Sequence, residues 1–276
     1  MDMTPLAAGT FAKVLASATG QELPAGRRWR IETALSPVLR SHGLETLDQL
    51  ACRMGRSEQA KLVQEVVEAL LNHETSFFRD VAVFRALATE GLPTIAAARA
   101  DRKRLRIWSA GCSTGQEAYS LAIELRRQSL LWADWELNIL GTDVSPDAVA
   151  RARDGLYTQL EIQRGLPISD MLGWFEPEGE SWRAKPELRR DVSFAVHNLM
   201  APPPGTGFDI VLCRNVLLYF PQETRVAVLN RIARAMAPDG ILLLGAGETV
   251  IGQGDAFEPD PAMRGVYRPR GRIGRG

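Results

Sequence analysis

The sequence predicts an α/β fold: a doubly wound, mostly parallel sheet, preceded by an all-helical N-terminal segment and interrupted by a small β-rich insertion. Three observations carry this. Residues 1–92 show apolar spacings of three to four, the helical period. From Arg104 onward, short continuous apolar runs alternate with helical patterns, as strands buried on both faces do. Residues 170–192 break that alternation with Gly173, Pro177, Gly179 and Pro186 among Trp174, Phe175 and Trp182. The expected domains are therefore 1–92, helical, and 93–276, α/β, with the insertion at about 170–192.

The elements follow in order. Leu62, Val63, Val66, Val67, Leu70 and Leu71 form one helical face, with Ser57 as a candidate cap. Val81, Phe84, Leu87 and Ala88 repeat the pattern, and Gly91 and Pro93 are expected to stop it. Ala97 to Lys103 reads as a loop. Strands are expected at 105–110, 137–142, 208–213 and 241–244. Helices are expected from Gly115 to about Gln128, from Pro146, and from Pro221 to Met236. The aromatics of the insertion are expected to pack a small core of their own.

Bulk properties exclude several classes. The chain has 276 residues, 45% hydrophobic and 24% charged, ordinary for a globular protein. Lys plus Arg and Asp plus Glu are 33 each, which argues against a nucleic-acid binder. Local basic clusters occur at Arg27, Arg28 and Arg30, at Arg102, Lys103, Arg104 and Arg106, and at Arg264, Arg268, Arg270, Arg272 and Arg275. Each reads as solvated surface or as a patch for an acidic partner. The cysteines Cys52, Cys112 and Cys213 are odd in number and widely spaced, so neither a metal site nor a disulfide framework is expected. That suits a cytoplasmic protein. No apolar run reaches the roughly 18 residues that span a bilayer. Asp2 stands where a secretory leader carries basic residues, so no leader is expected, although Ala16-Ser17-Ala18 resembles a cleavage site.

One turn concentrates chemical signals. Gly111-Cys112-Ser113-Thr114-Gly115 follows a strand and opens a helix, where free N–H groups face a ligand. A dinucleotide site lacks its G-x-G-x-x-G pattern. A hydrolase elbow has its G-x-S-x-G spacing with Ser113 as nucleophile, but His197 is the sole histidine downstream. The third reading is a methyltransferase loop. There Glu117 faces the amino group of the cofactor and Asp143, ending the next strand, accepts from ribose hydroxyls. Asp143 also reads as a helix cap before Ser145-Pro146, and Cys112 and Cys213 as small buried residues.

Longer motifs resemble one family. His73 to Asp80 (HETSFFRD) resembles the N-E-T-S-F-F-R segment of CheR-type chemotaxis receptor methyltransferases. Ile107 to Ser120 resembles its cofactor loop, W-S-A-x-C-S-T-G-E-E-x-Y-S. Gly141 to Ser145 resembles its T-D-I-S/D strand end, and Phe208 to Phe220 its F-D-x-I-F-C-R-N-V-x-I-Y-F segment. Pro238-Asp239-Gly240 matches the segment that follows. The likeness runs in order from about Leu35 to Arg268.

The resemblance implies a Rossmann-like methyltransferase domain with S-adenosyl-L-methionine as cofactor and S-adenosyl-L-homocysteine as product. It implies O-methylation of glutamates on the cytoplasmic helices of chemoreceptors. The implied cofactor contacts are His73, Thr75, Arg79, Gly111, Glu117, Asp143, Asn198, Leu199, Arg214 and Asn215. Arg79 and Tyr219 are the expected catalytic residues. A monomer without metal, nucleic acid or membrane insertion is expected.

Departures from the pattern are informative. His73 stands where the family often has Asn, and Gln116 where Glu is frequent. Ser36 to Gly43 aligns with an often Arg-rich receptor-facing helix yet keeps only Arg40. Glu176 to Trp182 looks short for the loop that binds a receptor pentapeptide in some members, so tether independence is expected. The alternatives are a regulatory module that binds the cofactor without methylating receptors, and the Ser113 hydrolase.

Overall fold

The computed structural model describes residues 3–23, 28–55, 59–263 and 265–271. Ser57, Arg27, Arg264, Arg272 and Arg275 lie outside the described residues. The chain divides into two units, one of residues 1–72 with 219–224 and one of residues 73–218 with 225–276.

The first unit is built on helices Pro5–Thr19, Arg28–Ser41, Leu47–Met54 and Ala60–Leu70. Thr4 caps the first by accepting the Ala7 N–H at 3.3 Å. Thr46 and Gln49 form a reciprocal capping box on the third. The predicted face is buried as its period requires: Leu62, Val66 and Leu70 pack with Phe11, Leu35, Leu39 and Leu50. The division at Asn72 lies well before the expected boundary at 92. The reason is that Phe77, Phe78, Phe84, Leu87 and Leu92 are buried in the core of the second unit.

In that unit, strand β1 (Arg104–Ala110) is followed by β2 (Glu136–Asp143), β3 (Leu156–Thr158), β4 (Phe175–Glu178), β5 (Ser181–Ala184), β6 (Val192–Val196), β7 (Phe208–Cys213), β8 (Met236–Leu244), β9 (Phe257–Pro259) and β10 (Val266–Pro269). The main sheet has the order β6-β2-β1-β7-β8-β10-β9. Its first five members run parallel, and β10 and β9 close it antiparallel. The fold is thus α/β and doubly wound. β2 and β7 flank β1 on opposite sides, which opens a crevice at the C-terminal ends of these strands. All six residues of β7 are buried: Phe208 and Ile210–Cys213 as apolar side chains, and Asp209 as an ion-paired carboxylate.

Three expectations are corrected. Gly91 and Pro93 do not stop the helix. Helix Val81–Ala86 passes through a π-turn, Leu87–Gly91, into helix Leu92–Ala98, where Pro93 sits in a first turn that needs no N–H donor. The result is one 18-residue stretch, Val81–Ala98, apolar enough by composition to cross a membrane; its Phe84, Leu87, Leu92 and Ile95 belong to the protein core. Second, β3 joins the insertion from upstream of 170, giving a second sheet of order β3-β5-β4. Third, Phe175 does not pack a separate small core. It lies against Phe77 and Tyr157 at centroid distances of 5.5 and 6.0 Å, within the main one.

The end of the sheet opposite the crevice is an ionic knot. Asp209 is 1% exposed and accepts Arg99 Nε at 2.7 Å, Arg102 Nη2 at 2.8 Å and the Arg106 N–H at 2.9 Å. Asp239 pairs with the same Arg99, whose guanidinium holds the Asp239 carboxyl below the usual carboxylate range. Leaving such a buried charge unpaired costs about 3–5 kcal/mol. Lys103 meets Asp134 and Arg104 meets Glu136. Within the 102–106 cluster, Arg102, Lys103 and Arg104 each face an acid of this chain, and Arg106 donates to the Thr206 carbonyl and lies over the Phe208 ring.

Candidate active site

The crevice is built by three strand ends and one loop. β1 ends in the turn Gly111–Gly115, and helix Gln116–Arg127 follows. Gly111 and Gly115 take φ of 85° and 95°, which glycine reaches without strain. Ser113 takes φ 49°. Its N–H donates to Asp143 Oδ2 at 2.8 Å, and its hydroxyl donates to the His73 carbonyl at 2.9 Å. A backbone carbonyl cannot take a proton as a general base, so this Ser113 is not activated as a nucleophile. His197, the other member a hydrolase needs, has Nε2 on the Pro202 carbonyl at 2.9 Å.

Asp143 ends β2. Its Oδ1 accepts the Ser145 N–H at 3.0 Å and its Oδ2 that of Ser113. The helix cap expected of Asp143 is made by Ser145, whose hydroxyl accepts the Ala148 N–H at 3.0 Å. A carboxylate has about four acceptor positions, so Asp143 retains capacity for a vicinal diol.

β7 leads into Arg214 and Asn215. The Arg214 side chain is 1% exposed. Nη1 donates to Glu117 Oε2 at 3.0 Å, and Nη2 donates to the Arg79 carbonyl at 2.6 Å and to Asp80 Oδ2 at 2.7 Å. Its Nε is buried with no hydrogen-bond acceptor among the described residues. Ser109 Oγ donates to the other Glu117 oxygen at 2.7 Å. One guanidinium thus ties the cofactor-side helix to the 73–80 loop.

That loop is held in an unusual shape. Phe78 and Asp80 both take positive φ, 48° and 60°. The Phe78 N–H donates to Ser120 Oγ at 2.9 Å, and its ring lies under the Arg127 guanidinium at 4.7 Å. Arg79 is partly exposed between them, with Nη1 on the Glu74 carbonyl at 2.8 Å.

The structure brings together His73, Gly111, Glu117, Asp143, Arg214 and Asn215, with Arg79 joined through its backbone. Thr75 is partly buried in the same loop. Asn198 and Leu199 follow β6 beside the rim, because the His197 N–H donates to the Asp143 carbonyl at 2.8 Å. Tyr219 is grouped with the first unit, where its hydroxyl accepts the Asn72 side-chain amide and its carbonyl accepts the Glu22 N–H at 2.7 Å. Sequence reasoning missed Ser109, Asp80, Ser120 and Glu248. Ser109 and Ser120 lie inside the recognised motif, whereas Glu248 has no local signal.

The donor set fits a nucleoside carrying an ammonium group. Asp143 offers acceptors for ribose hydroxyls, Glu117 offers a carboxylate for the cation, and the Arg214 Nε–H offers a buried donor. Comparisons with known proteins agree. The family described as CheR methyltransferase, SAM binding domain, matches residues 73–266. A chemotaxis protein methyltransferase, Cher2, of Pseudomonas putida is 33% identical over 93% of this chain and 94% of its own. A chemotaxis protein methyltransferase of Vibrio parahaemolyticus is 35% identical over 90% of each chain. Chemotaxis protein methyltransferase 1 of Pseudomonas aeruginosa is 33% identical over 94% of this chain and 96% of its own.

The rim cysteines are not nucleophiles. Burial pushes the Cys112 thiol well up, with the Asp143 and Glu117 charges adding to it, and burial does the same to Cys213 beside Glu248. Cys52 is exposed. A thiol-reactive chromogen is therefore expected to titrate Cys52 rapidly in the native protein, and Cys112 and Cys213 only on unfolding. Three fast thiols would contradict this burial.

Proposed function

Because this chain belongs to the CheR methyltransferase family and is an S-adenosylmethionine-dependent methyltransferase, we propose that it forms methyl esters on glutamate side chains of chemoreceptor cytoplasmic helices, for sensory adaptation in the cytoplasm. The observation that carries the reading is the rim constellation of Asp143, Glu117 and Arg214, assembled around a turn with no activated serine or thiol.

S-adenosylmethionine supplies a sulfonium-bound methyl group ready for displacement. The chain's own residues have simpler tasks. Asp143 would hold the ribose hydroxyls, Glu117 would receive the amino group, and Asn198 and Leu199 would add further cofactor contacts. His73, Thr75, Gly111, Arg214 and Asn215 complete the cofactor cradle. A glutamate carboxylate, with a reference pKa of about 4.3, is ionised at neutral pH, so no general base is needed. Alignment and exclusion of water remain. Arg79 orients the incoming carboxylate through its planar fork while staying loose enough not to quench it. Tyr219 is assigned to the methyl-transfer end by its place in the family motif.

Incubation with radiolabelled S-adenosylmethionine and receptor membranes is expected to give receptor label released by base as methanol. Arg79→Ala and Tyr219→Phe are each expected to lower turnover at least about tenfold, about 1.4 kcal/mol of barrier, with the thermal midpoint unchanged. Wild-type rates in both variants would remove them from the chemistry. Cofactor binding with no receptor label would make the protein a binding module instead.

The β3-β5-β4 sheet supports tether independence. An extended peptide joins a sheet by adding a strand to an edge. In the β4–β5 hairpin, Glu178 pairs with Ser181 across a two-residue turn, so the backbone N–H and C=O positions of Phe175 and Pro177 face the free edge of β4. Pro177 has no N–H, and the Phe175 N–H is bonded to the Met171 carbonyl. That edge offers a peptide no free donor at these positions, and exposed Glu176, Glu178 and Glu180 border it. Calorimetry with a receptor C-terminal pentapeptide is expected to show no binding; micromolar affinity would overturn this part of the proposal.

A further inference from the structure

The turn after β8 carries a carboxylate outside the constellation above. Glu248 Oε2 accepts the backbone N–H of Asn215 at 2.7 Å and of Gly245 at 2.9 Å, and Oε1 accepts that of Leu218 at 3.2 Å. The Glu248 N–H closes the turn onto the Gly245 carbonyl at 2.9 Å. β7 and β8 are neighbours, with Cys213 opposite Leu244. One side chain therefore clamps the loops leaving two adjacent strand ends.

The clamp acts on a conformation that needs holding. Asn215 takes φ 58°, a region a non-glycine residue keeps only when its surroundings fix it. Gly245 is part of the device. A Cβ there would stand 2.6 Å from Asn215 Nδ2 and 2.8 Å from Glu248 Oε2. Only a hydrogen lets the amide and the carboxylate share that space. Three N–H donors on one ionised carboxylate form charge-assisted bonds, roughly twice as strong as neutral ones.

We propose that Glu248 is a positioning residue for methyl transfer: its carboxylate holds Asn215 in the left-handed conformation and fixes Leu218, the residue before Tyr219 in the sequence. The inference rests on the assignment of Asn215 to the cofactor. Glu248→Gln is a graded probe. Its oxygen still serves Asn215 and Gly245, but its NH2 faces the Leu218 N–H, donor against donor.

Two measurements test this. In cofactor-free protein, hydrogen exchange is expected to show protected Asn215, Gly245 and Leu218 amides, with protection lost in Glu248→Ala and lost at Leu218 in Glu248→Gln. Calorimetry with S-adenosylhomocysteine is expected to show Kd raised about tenfold in Glu248→Ala, less in Glu248→Gln, and raised also in Gly245→Ala, which displaces the Asn215 amide. Unchanged protection in folded Glu248→Ala, or Kd within about twofold of wild type, overturns the proposal. If Glu248→Ala does not fold, the same criteria apply to the other two variants. Wild-type protein that binds no S-adenosylhomocysteine sinks the cofactor assignment itself, an outcome distinct from the ligand-free exchange result.

Discussion

A guanidinium sealed from water sets the terms for the rest of the rim. Arg214 is 1% exposed in its side chain, and a cation there must find anions or carbonyls or the fold loses several kcal/mol. It finds Glu117, Asp80 and the Arg79 carbonyl, which come from different parts of the chain. Satisfying one buried charge thereby fixes the relative position of the cofactor helix and the loop that bears Arg79. The strain around it fits this account. Of the five described non-glycine residues with positive φ, four are Phe78, Asp80, Ser113 and Asn215, all at the rim. Each such conformation costs on the order of 1–3 kcal/mol, and each is held by a side chain or carbonyl across the crevice.

The two ends of the sheet divide the labour. At one end Asp209 and Asp239 are paired with Arg99 and Arg102, and Asp209 also accepts the Arg106 N–H. At the other, Asp143 and Glu117 keep lone pairs beyond those their protein partners use, and the Arg214 Nε–H has no acceptor. This asymmetry is the general property of parallel α/β sheets, where ligands lie beyond the C-terminal strand ends. For the proposed glutamate methylation the nucleophile arrives ionised, and geometry is what the protein contributes.

Much of this was legible in the residues. β7 carries the apolar run Ile210–Cys213, β1 and β2 carry shorter ones at 107–108 and 139–141, and the turn after β1 declares itself through Gly111 and Gly115. The motif containing His73 to Arg79 named a segment that no spacing argument could have brought to Asp143. Other features were silent for physical reasons. Gly91 and Pro93 read as a helix stop, yet a π-turn resets the hydrogen bonding and Pro93 lands in a first turn. β6 is short, with a single fully buried residue, Phe194, so its run carries little signal. The G-x-S-x-G spacing around Ser113 matched a hydrolase, and only the hydrogen bond to the His73 carbonyl shows what the hydroxyl does. Glu248 acts on backbone groups brought close by folding, and nothing in Gly247-Glu248-Thr249 announces that.

The most direct test of a rim assembled by one buried guanidinium is Arg214→Lys, which keeps the charge and loses the fork. A lysine ammonium cannot reach Glu117, Asp80 and the Arg79 carbonyl with the same planar geometry. S-adenosylhomocysteine should bind folded Arg214→Lys at least about tenfold more weakly than wild type, by calorimetry, with the sheet core still protected in hydrogen exchange. Wild-type affinity in that variant would contradict the account, because the rim would then hold its shape without the interaction on which it is argued to depend.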